Sequence, residues 1–565
     1  TGATAVNGTF SFSGAATGFS GGRTNATFTV GAGATFTPFT APNGFAFDVS
    51  ATQLPGKKLT LSNNFSLPGK TFTINNGATL DAGLFIISGG GGFTNASGGT
   101  LITANTNGVR GAVNNGAVQT TGTNVLATGS SYTYNSAAGA TPQSTGLVAL
   151  GTNVPANISI LTANNTNVNL DATISVGASG SVPAVTLNTG GVFNLGNNGL
   201  TLQETDIPVL KTSGTITTTT ATNLSFGSAG KTGGAAFALP ANLFTTPPEI
   251  NNFTINRTNS LTLGNQSFAI RGVLTSTSGT LHLNDAYFTL KSDAAYTARV
   301  APVGGNFAYG NGRFVIERFY PAGRKWHLST APVTADAGRS IYNSWQNGGV
   351  AVPGSGTYIT GQNPSAANGL DASPQNQFSL KSYNMATQLL VNVTDTKTPL
   401  ISGTAGVAGT PDNVGYYFFV RGDRTPGNFY PPASNVTTIR DTGKIQYGTQ
   451  TFTANAAAGK FTLIGNPFAS PVNFDQLTRN NVSKKFWAWD PKLNVVGGYV
   501  IVDGTSGTYI TSPATGVAQT KFLQSTQAVF VQTTGAGAAS VLFPESSKSD
   551  SNNLNVFRPF NVLGL

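Results

Sequence analysis

Short apolar triplets with a polar centre recur along the first 300 residues of this chain. Phe253-Thr254-Ile255, Leu261-Thr262-Leu263 and Phe288-Thr289-Leu290 are three of them, and Val168-Asn169-Leu170, Val185-Thr186-Leu187 and Leu200-Thr201-Leu202 precede them. Alternation over three to five residues is the period of a half-buried β-strand. Gly and Asn punctuate the runs, as in Ile74-Asn75-Asn76-Gly77, and such pairs are strong turn signals. Between residues 253 and 290 the strand starts recur about every 7 to 9 residues. This pattern predicts an all-β fold whose N-terminal part is a β-solenoid-like or elaborate β-sandwich strand stack. The period drifts, and no fixed consensus can be written. Helical signals are confined to short pieces at 341–346 and 474–479.

Near Gly304-Gly305 the texture changes. All four tryptophans (Trp326, Trp345, Trp487 and Trp489) follow it, and longer strands appear, such as Tyr416-Tyr417-Phe418-Phe419-Val420 and Ala528-Val529-Phe530-Val531-Gln532. The expected organisation is a Gly/Thr/Asn-rich repetitive region at 1–304, an aromatic-rich, mostly antiparallel β-sandwich module at 305–558, and a tail at 559–565. In the tail region Asn553-Leu554-Asn555-Val556-Phe557 and Phe560-Asn561-Val562-Leu563 alternate like strands. Val556, Phe557, Phe560, Val562 and Leu563 are therefore candidates for a strand that completes a neighbouring copy's sheet.

Composition narrows the function. Only 9% of the 565 residues are charged, 71 are glycine and none is cysteine, against about 25% charged in an ordinary soluble domain. Disulfides, thiolate catalysis and cysteine metal sites are excluded, and a cysteine-free chain suits an oxidising exterior. The net charge of +10 comes from 30 scattered Lys and Arg, with no basic cluster of the kind nucleic-acid binding requires. A weakly basic surface instead suits anionic polysaccharide or lipid headgroups. No apolar run reaches the roughly 20 residues of a membrane-spanning helix. The start at Thr1-Gly2-Ala3-Thr4 reads as a mature end left by removal of an export signal.

The second half carries an ordered set of blocks: Glu317-Arg318-Phe319-Tyr320-Pro321 with Trp326-His327-Leu328-Ser329-Thr330-Ala331-Pro332, then Gly415-Tyr416-Tyr417-Phe418-Phe419-Val420-Arg421-Gly422-Asp423. Leu463-Ile464-Gly465-Asn466-Pro467-Phe468, Phe486-Trp487-Ala488-Trp489-Asp490-Pro491 and Asn555-Val556-Phe557-Arg558 complete it. Over residues 272–558 this order resembles large secreted surface proteins of Bacteroidota exported by the type IX secretion system. The resemblance implies surface display, an adhesive or scaffolding role, and no catalytic set to carry over. It leads to the expectation of a non-catalytic extracellular structural protein, the subunit of a filament, sheath or surface layer built from copies of itself. The alternative is a monomeric adhesin or glycan-binding protein.

Individual motifs add little chemistry. Arg421-Gly422-Asp423 spells an integrin tripeptide but follows an apolar strand, and reads as a turn. Gly230-Lys231-Thr232 lacks the upstream glycine of a phosphate loop. His282 and His327 have no carboxylate at metal-ligand spacing, and no cofactor is expected. Glu317, Asp475 and Asp490 are the carboxylates to weigh for glycoside hydrolysis, which needs two facing acids within about 10 Å. Trp487 and Trp489, two residues apart, share one face of a strand. Exposed they form a sugar-stacking platform; buried they are core.

Overall fold

The computed structural model describes residues 4–6, 28–30, 35–36, 57–61, 64–67 and 71–557, the last without 138, 140, 163–165, 179–181, 204–205, 228–234, 335–339, 398–414, 427–434 and 495–496. The chain is nearly all β, a solenoid of about nine turns followed by antiparallel sheets. Of the two forms of strand stack that the alternation allows, it is therefore the solenoid. Two compact units divide it. One holds Thr1–Gln266 with Ser278–His282, the other Ser267–Thr277 with Leu283–Leu565.

The first unit stacks parallel strands in register. In its eight-stranded sheet Leu80, Leu101, Tyr132, Ile158, Val185 and Val209 lie side by side, one per coil. Successive positions are 21 to 31 residues apart, so the side chains stay in file while the loops vary. That variation is why the repeat has no consensus. The pairing of Leu261 with Leu281 gives a coil of 20 residues, so strand starts every 7 to 9 residues mark the three sides of one coil. This file points inward: Leu101, Tyr132, Ile158 and Val185 are fully buried, each worth about 1.5–3 kcal/mol for a large aliphatic or aromatic group. Like stacks on like, as in Phe72 on Phe93 at 6.2 Å between rings. Outside, Asn194 donates to Asn169 at 2.9 Å and Thr217 donates back to Asn194 at 3.1 Å, a polar ladder running from coil to coil.

The second unit begins in the same manner, with Phe268, Phe288 and Phe314 in one parallel file. The Arg313–Tyr320 strand then pairs parallel on one side and antiparallel with Thr437–Ile445 on the other. Beyond it every sheet is antiparallel. The Phe461–Gly465, Ala528–Thr533, Val482–Asp490, Gly498–Asp503 and Ile510–Ser512 strands form a five-stranded sheet (ordered 461, 528, 482, 498, 510). One of its faces, with Phe486, Ala488, Val500 and Val529, closes the main core against the Gln450–Ala454 and Ala539–Phe543 strands. Its other face carries Phe530, Trp487 and Trp489. There it meets Leu328, Tyr383 and Tyr417 of a four-stranded sheet ordered Lys325–Ser329, Tyr416–Val420, Leu380–Asn384, Leu389–Asn392. The helical signals resolve into one turn of α-helix, Ile341–Ser344, and a 3-10 turn, Phe474–Gln476.

Val556 and Phe557 are not in a strand. They close a 3-10 turn, Leu554–Phe557, with both side chains buried. An Asx turn starts it, the Asn553 side chain accepting from the Asn555 N–H at 3.1 Å. Two consecutive residues can both face inward from such a turn, whereas in a strand they would point to opposite faces. Phe557 packs edge-on against Tyr320 at 5.6 Å and lies under the Arg318 guanidinium at 4.6 Å. Both residues thus serve their own chain's core. Phe560, Val562 and Leu563 lie outside the described residues.

Candidate functional site

On the outer face of the five-stranded sheet, five rings from five strands line an open cleft of about 280 Å³: Tyr383, Phe461, Trp487, Tyr499 and Phe530. Alternation sets each ring there. Along Val482–Asp490 the inward Phe486 and Ala488 fill the core, so Trp487 and Trp489 must point outward. Phe530 on the neighbouring strand lies directly opposite Trp487.

The rings hold one another in edge-to-face contacts. Phe461 meets Trp487 at 4.9 Å, Tyr383 meets Phe530 at 4.8 Å, and Tyr499 meets Phe530 at 6.0 Å. Such pairs contribute about 0.5–1.5 kcal/mol each beyond the area they bury. Backbone bonds fix the rim. The Gln388 side chain donates to the Phe461 carbonyl at 3.0 Å and accepts the Phe461 N–H at 2.7 Å, tying the 384–389 hairpin turn to the cleft's far wall. Burial pushes the Tyr383 and Tyr499 phenols up, that of Tyr499 further through the nearby Tyr383. Both stay protonated and able to donate.

The two tryptophans on the shared face have different tasks. Trp487 forms a wall of the cleft. Trp489 is wedged between Tyr417 at 5.1 Å and Tyr499 at 5.0 Å, and Tyr417 in turn stacks flat on Trp326 at 4.3 Å. Gly497, at φ +102°, presses on the Trp489 indole nitrogen so closely that a Cβ there would sit 2.4 Å away. That Nε1 is enclosed and finds no hydrogen-bond partner among the described residues. Trp489 therefore orients Tyr499, and Trp487 faces the cleft. The sequence pairs the two residues; it carries no signal for Tyr383 or Phe461, which arrive from strands about 100 and 25 residues away.

Each carboxylate weighed for catalysis has a structural partner instead. Glu317, 3% exposed, is held between Lys291 at 3.2 Å and Arg440 at 3.0 Å. Asp475 pairs with Lys484 at 2.7 Å. Asp490 caps a turn, accepting from the N–H groups of Lys492 and Ala518, both at 2.9 Å. None of the three lines the cleft. His327 is buried against Tyr320 at 4.8 Å. Burial, with Lys325 second, pushes its imidazole down to about 3. Asp423 of the Arg-Gly-Asp tripeptide is 2% exposed and accepts from the Gly354 N–H at 2.7 Å, so the turn faces inward. Gly230, Lys231 and Thr232 lie outside the described residues. Among the described residues no group of three His, Asp or Glu is placed to hold a metal ion, and no helix is long and apolar enough to cross a membrane.

No family model, curated protein or solved structure matches this chain.

Proposed function

We propose that the chain is a non-catalytic extracellular surface protein that binds neutral saccharide in the aromatic cleft of its second unit. The observation that carries this reading is a cleft open to solvent, walled by five rings and by no charged side chain. A pyranose with equatorial hydroxyls presents C–H groups on both faces, and these are attracted to the negative face of an aromatic ring. The two tyrosine hydroxyls add polar contacts. At about 280 Å³ the cleft is near the roughly 300 Å³ lower bound of small-molecule sites, which suits a short stretch of a longer saccharide. A hydrolase would need a carboxylate pair here, and the walls supply none. Low charge, absence of cysteine and the resemblance to exported Bacteroidota surface proteins support the location outside the cell.

A glycan array followed by titration tests the reading. The full chain retains a neutral, equatorially substituted polysaccharide. Trp487→Ala weakens that binding at least ten-fold, about 1.4 kcal/mol, while Trp487→Phe retains most of it and both variants melt as cooperatively as the parent. Failure of the parent chain to retain any saccharide sinks the proposal. The second reading, a structural subunit, needs a surface that joins copies. A sheet edge among the described residues is the candidate for it.

A further inference from the structure

Among the described residues the Leu389–Asn392 strand is the last in its sheet, paired only with Leu380–Asn384. Its three consecutive aliphatic side chains, Leu389, Leu390 and Val391, are 64%, 37% and 43% exposed. Edges of this kind are normally blunted by lysine, proline, a bulge or a covering loop. Here residues 382–394 contain no charged residue, proline or glycine, and the register along the strand is unbroken.

The direction of the backbone groups follows from the ladder. The Val393 N–H donates to the Leu380 carbonyl at 3.1 Å. With Val391 opposite Ser382 and Leu389 opposite Asn384, alternation points the peptide groups of Leu389, Val391 and Val393 inward. Those of Leu390 and Asn392 point away from the sheet.

We infer that this edge pairs antiparallel with the same edge of a second copy, about a two-fold axis at Val391. In that register Leu390 faces Asn392 of the copy in two hydrogen-bonded pairs. Val391 meets its own counterpart in the close, non-hydrogen-bonded position between them, and Leu389 meets Val393. Aliphatic groups thus meet aliphatic groups along one side of the joined sheet. The strand is its own complement, as a two-fold interface requires. With no charge on the edge to select another partner, a second copy is the occupant it fits best. Two four-residue strands cover less than the roughly 1,000 Å² of a stable interface, so the pair forms in a concentration-dependent way. A two-fold contact closes on itself; a filament would need one further interface. The inference is independent of saccharide binding in the cleft.

The chain has no cysteine, so a single introduced thiol reports the register. Sedimentation of the full chain at rising concentration shows the mass approaching twice the monomer value, and Val391→Lys abolishes that rise without lowering the melting temperature. Under mild oxidation Val391→Cys gives a covalent dimer at least ten-fold faster than Leu389→Cys, because only residue 391 meets itself. Equal cross-linking rates, or a parent chain that stays monomeric throughout, overturn the inference. So does capture of an unrelated extended apolar peptide in place of a second copy.

Discussion

Asp441 shows how one side chain in this charge-poor interior sets a pH response. Its carboxylate is buried, accepts the Trp345 Nε1–H at 2.6 Å and lies near Arg318. Burial outweighs both and raises it to about 7, from an ordinary value of 3.8. The folded chain therefore holds this proton where the unfolded chain has lost it, so the contribution to stability falls as pH rises from about 4 to about 7. Asp441→Asn keeps an acceptor for Trp345 and removes the titration. The variant gains on the parent by about 1.4 kcal/mol per pH unit across that window, and the gap levels off above pH 7. Urea melts at pH 5, 6, 7 and 8 measure it; a gap independent of pH would show that Asp441 does not titrate there. The sequence offered Asp441 no distinction, since its hydrogen-bond partner Trp345 is 96 residues away and the burial that shifts it exists only in the folded chain.

At the scale of the element, the solenoid was legible because its signal is local. Leu200-Thr201-Leu202 pairs residue for residue with Leu224-Ser225-Phe226, which pairs with Phe253-Thr254-Ile255, and each triplet shows its inward and outward positions without help from the rest of the chain. The cleft was legible only in part. Alternation placed Trp487 and Trp489 on one face, but which of them lines the cleft depends on the rings that other strands bring beside it. The segment 553–557 misled because two apolar residues after an alternating pair fit a strand end as well as a tight turn, and only their joint burial decides. Coil stacking itself makes a sharp prediction. Gly227 has φ +83°, and a Cβ there would lie 1.9 Å from the Asn256 carbonyl oxygen of the adjacent coil. Gly227→Ala must therefore push two coils apart, at a cost of several kcal/mol, of the order seen for backbone strain and overpacking together. Because stacked coils depend on nearest neighbours, hydrogen exchange should accelerate around residues 200–255. Strands such as Phe72–Ile74 should keep their protection. Uniform acceleration across the unit would contradict nearest-neighbour stacking.

For the whole molecule, the division into two compact units has a spectroscopic consequence. Each unit has its own buried residues, and compact units need not unfold together. All four tryptophans lie after residue 304 and belong to the second unit. Trp345 is 1% exposed and packed on Phe418, while Trp326, Trp487 and Trp489 sit in the half-buried aromatic layer. Tryptophan fluorescence therefore reports only that unit, whereas far-UV circular dichroism reports strands in both. Guanidinium titrations followed by the two probes should give midpoints that do not coincide, with the dichroism curve showing a second step to which fluorescence is blind. Asp441→Asn should move only the step that fluorescence shares, and Gly227→Ala only the other. Coincident curves in the parent chain, shifted together by either substitution, would mean that the units unfold as one cooperative body.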